Sequence, residues 1–181
     1  MRNLKWLVMG AITVVVLLPS ATLAMQEPAP EGVKVKFKDL PQPVKEAVWK
    51  NCRKCSVAEA TREVENGVTI YDFEFKRNRG EMDVAEDGTV ISRETPVSLS
   101  KIPAAARKAI RKEAKGASIK QIERDQIRAE LKDGQINKLD KPKYVYEAEM
   151  VKGKNEAEMQ VSPTGEVIEA PEWKTKGAKG N

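Results

Sequence analysis

The chain has 181 residues, with 32 Lys and Arg against 27 Asp and Glu, two cysteines, no histidine, and 40% hydrophobic but only 5% aromatic content. The missing histidine excludes Ser/His/Asp and Cys/His nucleophile systems, HExxH zinc sites, histidine-ligated haem and imidazole proton shuttles. Apolar content is ordinary and the net charge of +5 is small beside the charged total, so composition predicts a small folded domain.

Arg2 and Lys5 make a positive start, Trp6 to Leu18 is an apolar stretch, and Pro19 to Ala24 supplies a breaker and small residues. This is the pattern of a secretory signal peptide over residues 1–24. A retained anchor is the competing reading, but a span needs about 20 apolar residues and Lys5 and Pro19 bracket fewer. The expected product is periplasmic or secreted, sits in an oxidising compartment, and keeps no integral membrane segment after cleavage. Residues 25–35 read as a flexible, Pro-containing leader and residues 171–181 as a flexible basic tail.

Two similar units lie between those ends, over residues 36–98 and 99–170. Leu40-Pro41 through Cys55-Ser56-Val57 matches Ile102-Pro103 through Ala117-Ser118-Ile119 at a constant offset of 62. Tyr71 to Phe75 matches Tyr146 to Met150 at offset 75, and Glu81 to Val84 with Gly88 to Ile91 matches Glu158 to Val161 with Gly165 to Ile168 at offset 77. Each unit opens with a Pro and then an apolar stripe at helical spacing: Val44, Ala47, Val48, Cys52 and Cys55, or Ala106, Ala109, Ile110, Ala114 and Ala117. A less regular strand follows each helix, over about Val57 to Val64 and Ile119 to Ile127. The period then becomes two. Tyr71, Phe73 and Phe75 alternate with Asp72, Glu74 and Lys76, and Tyr144, Tyr146, Ala148 and Met150 alternate with Val145, Glu147 and Glu149, as in half-buried strands. Asp87-Gly88 and Thr164-Gly165 are hairpin turns into a last short strand, Val90-Ile91 or Val167-Ile168. The expected fold is α+β: two tandem repeats, each one helix packed on an antiparallel sheet of three or four strands. A unit of this size buries too little alone, so the copies share an interface or one extended sheet, with helices on one side and an open face on the other.

A helix introduced by Leu-Pro or Ile-Pro, then Tyr-x-Phe/Ala-Glu, Glu-Met-x-Val and Gly-x-Val-Ile resembles the PepSY and PepSY-like group. Its two-lobed members are similar in layout to the beta-lactamase inhibitor protein. The resemblance runs from about Lys36 to Ala170 and rests on the ordered recurrence of all these motifs. It implies a secreted or periplasmic module that is not an enzyme, has no catalytic residue and no cofactor, and binds a protein or peptide partner. In its sharper form that partner is a secreted or envelope peptidase held in check. The alternatives are a sensory or structural envelope module without inhibitory role, and a thiol–disulfide redox protein using Cys52 and Cys55.

Cys52-Arg53-Lys54-Cys55 has redox spacing, but it falls at the C-terminal end of the expected helix, where the dipole disfavours a thiolate. Its counterparts, Ala114 and Ala117, mark the place as one for small buried residues, and zinc lacks two further soft ligands. A local structural disulfide is the expectation. Asp72, Glu74, Glu81 and Asp83, with Glu147, Glu149 and Glu158 in the second unit, share the polar strand faces. A solvated face is the plain reading, with weak Ca²⁺ binding as the alternative and no metal site expected.

Residues 25–98 hold 12 basic and 14 acidic side chains, and 99–181 hold 18 and 13. Arg107, Lys108, Arg111, Lys112 and Lys115 line the outer side of the second helix, a solubilising face or an attraction to an acidic protein or anionic membrane surface. Nucleic acid is excluded as a partner: the chain is mildly basic, exported, and without interleaved aromatics. The second unit also carries an insertion near 125–141. Its Leu131, Asp133, Gly134, Ile136 and Leu139 are candidates for partner contact, with a strand extension packed on its own sheet as the alternative.

Overall fold

The computed structural model describes residues 32–175. The expected signal peptide (1–24), the leader up to residue 31 and the tail from 176 lie outside the described residues. The chain order is β1 (Val33–Lys34), α1 (Gln42–Asn51), β2 (Val57–Glu65), β3 (Val68–Phe75), β4 (Glu81–Ala85), β5 (Val90–Pro96), α2 (Ala104–Glu113), β6 (Ser118–Lys132), β7 (Gln135–Lys152), β8 (Asn155–Val161), β9 (Val167–Glu169) and β10 (Lys174–Thr175). All the strands form one antiparallel sheet in the order β1 to β8 and then β10, with β9 also on β8. The units join where β5 pairs with β6, Glu94 opposite Asp125.

Both units are built to the same local rules. Pro41 and Pro103 cap the helices in nearly identical conformations (φ −55° and −52°), and each follows a residue only 4% exposed, Leu40 or Ile102. Proline's fixed φ suits a helix start. At the far ends the Cys52 N–H donates to the Val48 carbonyl and the Ala114 N–H to the Ile110 carbonyl, both at 2.8 Å. The two hairpin glycines also correspond. Gly88 and Gly165 both have φ +85°, and a Cβ on either would stand 2.7 Å from the Pro43 carbonyl oxygen or 2.8 Å from that of Ala105. Only glycine combines that φ with so close a helix.

Under α1 the core is Val44, Ala47, Val48, Tyr71, Phe73, Phe75, Met82 and Val84. Under α2 it is Ala106, Ile110, Ala114, Ile122, Tyr146, Ala148, Met150, Met159 and Val161. Burial of these stripes, more than helix propensity, holds such short helices in place.

Three expectations are corrected. The leader is not wholly loose: Val33 and Lys34 pair with Arg62 and Thr61 on β2. Nor is the start of the tail, where Lys174 and Thr175 pair with Glu156 and Asn155 on β8. Both are two-residue edge strands with exposed side chains, too short to carry a period of two. Tyr144 is 38% exposed while Val145 is 6% exposed, reversing the expected burial at the start of that strand. Tyr144 belongs to neither helix cluster; Arg124 lies over its ring at 5.8 Å and Gln126 donates to its hydroxyl. Among the described residues, no helix is long and apolar enough to cross a membrane.

Candidate functional site

The sheet face turned away from both helices carries most of the polar chemistry. Alternation on β3 sends Tyr71, Phe73 and Phe75 under α1 and so turns Asp72 and Glu74 outward. Register then aligns carboxylates across strands. Asp72 faces Asp83, Asp83 faces Ser92, and Glu74 faces Glu81. At the seam Glu94 faces Asp125. Beyond it Glu123 faces Glu147, Glu147 faces Gln160, and Glu149 faces Glu158. Like charges directly opposite destabilise a sheet, so a band of them across six strands has to be explained by more than folding.

The band is not a freely solvated surface. Asp83, Glu123 and Gln160 are only 6%, 4% and 8% exposed. Ser92 Oγ donates to Asp83 Oδ2 at 2.6 Å, and Gln160 Nε2 donates to Glu147 Oε2 at 3.2 Å. Burial, then Glu81 and Glu63, pushes the Asp72 carboxyl up to about 7. Burial, then Glu81, Asp125, Glu147 and Glu123, pushes Glu94 up to about 9. Asp125 rises to about 7 through burial and the charges of Glu147 and Glu123. Asp83 also lies well above the ordinary range, from burial and then Asp72, partly opposed by the Ser92 hydrogen bond. Glu94 Oε2, Asp125 Oδ1 and Gln160 Oε1 are buried without a hydrogen-bond partner. Each is an acceptor, so what this face lacks is donors. Among the described residues, no group of three or more Cys, Asp or Glu is arranged to hold a metal ion.

The insertion lies over one end of this face. A large register shift between Ile127 and Ala129 bends the far part of the β6–β7 hairpin. This arm lays Leu131 and Ile136 against Ile70, Ala85, Ile91 and Val68 of the first unit. Asp133 (φ +52°) and Gly134 (φ +71°) form its tip, which abuts the Asn66 carbonyl of the β2–β3 turn. Of the five candidates, Leu131 and Ile136 are therefore held by the protein's own sheet. Asp133 is exposed, and Leu139 is half-buried in the irregular stretch opposite Arg128.

Cys52 and Cys55 are joined as a disulfide, with Cα atoms 5.3 Å apart. It borders the α1 core cluster, as the alanines do under α2. Arg93 closes the helix end, donating to the Asn51 carbonyl at 2.6 Å and to Cys52 Sγ at 3.2 Å. A cation there complements the helix dipole.

Sequence reasoning found Asp72, Glu74, Glu81, Asp83, Glu147, Glu149 and Glu158 and missed Glu94, Glu123, Asp125 and Gln160. Part of their signal was available: extending the alternation of Ile122 backward and forward puts Glu123 and Asp125 in line with the rest, whereas the bulge at Val90 to Ser92 shifts the phase and hides Glu94.

Two helix-on-sheet units on one continuous antiparallel sheet, with a polar open face, define an α+β class of fold. The family model described as "Putative beta-lactamase-inhibitor-like, PepSY-like" matches residues 29–92 and 89–135, more than half of the chain, and the chain belongs to this family. Among solved structures it is similar to a BLIP-like protein from Bacteroides fragilis, with TM-score 0.50 and 12% identity, covering 78% of this chain and 92% of that one. It is also similar to a structure described as "putative periplasmic proteins" from Bacteroides eggerthii, with TM-score 0.49, 15% identity and coverage of 75% and 88%. No curated protein matches.

Proposed function

We propose that this is an exported, periplasmic or secreted, non-catalytic binding module whose open sheet face receives a protein or peptide partner, with the β6–β7 arm as the rim of that face. Its two units are tandem copies of one PepSY-like unit, as the matching proline caps and hairpin glycines support. The observation that carries the reading is the buried, donor-poor carboxylate band, which costs stability in the isolated protein and has no role in the core. In its sharper form the partner is a secreted or envelope peptidase, restrained by occupation and not by chemistry. Asp133 at the arm tip and Leu139 at its bend are contacts for that partner, while Leu131 and Ile136 hold the arm in place.

The test is site-directed photo-crosslinking in envelope extract. A crosslinking residue at Gln121, on the open face, is expected to trap a protein that one at Lys108, on α2, does not. Equal trapping at both, or none at Gln121, contradicts the reading. A second reading, thiol–disulfide exchange, is favoured by one contact: the Arg93 guanidinium beside Cys52 stabilises a thiolate there. Insulin reduction above the rate of a Cys52→Ala variant is its test.

A further inference from the structure

The open face also states what chemistry its partner brings, an inference that rests on the partner-binding reading above. Among the described residues its unpartnered buried atoms are acceptors without exception: Glu65 Oε2 at the end of β2, and, within the band, Glu94 Oε2 on β5, Asp125 Oδ1 on β6 and Gln160 Oε1 on β8. Gln160 differs in kind from the carboxylates beside it. It carries no charge, is 8% exposed, and is held beside Glu147 through its own amide, leaving the oxygen unused. An uncharged acceptor buried without a donor points to a donor that arrives from outside.

Spacing decides the kind of donor. Adjacent strands stand about 4.8 Å apart, so β5 and β8 are separated by roughly 14 Å across the sheet. One divalent cation gathers its oxygens at about 2.3–2.6 Å; it reaches the facing pair Glu94 and Asp125 but not Gln160 as well. An extended polypeptide places successive same-side residues about 6.8 Å apart, and two or three long cationic side chains span the distance. Several of the protein's described cations are already engaged with other groups. Arg93 is engaged with Asn51 and Cys52, and Arg128 with Asn51 and Gln126, on the helix side. Lys143, which alternation puts on the open face, is paired with Glu130.

We propose that the carboxylate band across β3–β8 is a docking surface for an extended Arg- or Lys-rich segment of the partner polypeptide, whose guanidinium or ammonium groups donate to Glu94, Asp125 and Gln160. Arginine suits the aligned carboxylates best, because its fork of donors bridges two acceptors. The groups facing Glu94 and Asp125 are Glu81 and Asp83 from β4, Asp72 from β3, Glu123 from β6 and Glu147 from β7. All are acidic, so a bound cation releases protons from Asp72, Glu94 and Asp125, and binding strengthens as pH rises from 6 to 8.5.

The probe is a fluorescent ten-residue peptide of alternating Arg and Thr, with a Glu/Thr peptide as control, titrated by anisotropy in 50 mM salt against the full mature chain. Glu94→Gln with Asp125→Asn removes two carboxyls from the band. Glu46→Gln with Glu113→Gln removes two carboxyls from the helices. The Arg peptide is expected to bind the native protein and to lose at least tenfold in affinity with the first pair only. Tighter binding at pH 8.5 than at pH 6 accompanies it, and the Glu peptide does not bind. Three outcomes overturn the proposal: equal loss from both pairs, which reads net charge alone; no binding of the Arg peptide; and displacement of the peptide by 1 mM CaCl₂, which makes a divalent cation the ligand. If the peptide fails while Gln121 still crosslinks a partner, the basic chemistry falls and the binding module stands.

Discussion

The first unit packs Phe73 and Phe75 beneath Val44 and Val48, whereas the second has Ala148 and Met150 beneath Ala106 and Ile110. The first ends its helix with a disulfide where the second has Ala114 and Ala117. Backbone demands are met identically, by Pro41 and Pro103 and by Gly88 and Gly165. The comparison separates what the frame requires from what merely fills it: special φ values are kept, while apolar volume is redistributed among neighbours. The open faces differ too. Asp72 and Asp83 oppose each other in the first unit, and their counterparts Glu147 and Gln160 share a hydrogen bond in the second.

If aromatic volume carries the first core, Phe73→Ala is the most damaging single change, lowering stability by about 3–5 kcal/mol in urea unfolding. The equivalent position is already Ala148, so a far smaller loss at Phe73 would mean the two cores are packed by one rule after all. The arm marks the second difference between units. Leu131→Ala with Ile136→Ala is expected to cost roughly 2–3 kcal/mol, because both side chains are half-buried against Ile70, Ala85 and Ile91. Limited proteolysis near Gly134 reports the released arm, and an unchanged cleavage rate contradicts its docking. Replacing both Cys52 and Cys55 by Ala copies the second unit. The closed loop is short, so the loss is about 2 kcal/mol or less and the fold is kept. Intact mass before and after alkylation verifies the bond in native protein.

The smallest effect is the most specific. Asp72, Glu94 and Asp125 bind protons more tightly folded than unfolded, so the folded state holds more protons between about pH 4 and 9 and stability falls as pH rises through that window. Asp83→Asn, which imitates Gln160, is expected to raise the melting temperature by a few degrees at pH 8 and hardly at all at pH 4. A melting temperature that instead climbs from pH 5 to pH 8 contradicts the band's repulsion.

Much of this architecture is legible in the sequence because its signals are local. Proline before an apolar stripe, Tyr71-x-Phe73-x-Phe75 alternation and turn glycines each act within a few residues. Other features are set by contacts far apart in the chain. Nothing near Leu131 says that it meets Ile70, and the two-residue strands at Val33 and Lys174 exist only through pairing with β2 and β8. The polar face was half visible: Asp72 and Glu81 stand out, but Glu94 and Asp125 become neighbours only when β5 pairs with β6 across the seam.

Carboxyl footprinting bears most directly on the claim that the open face is the binding surface. With carbodiimide-driven amide labelling read by mass spectrometry, free protein and its crosslink-captured complex are compared at Glu74, Glu149 and Glu158 on the face and at Glu46 and Glu166 away from it. Protection confined to the first three is the predicted result. Labelling unchanged there, or lost equally at Glu46 and Glu166, contradicts it.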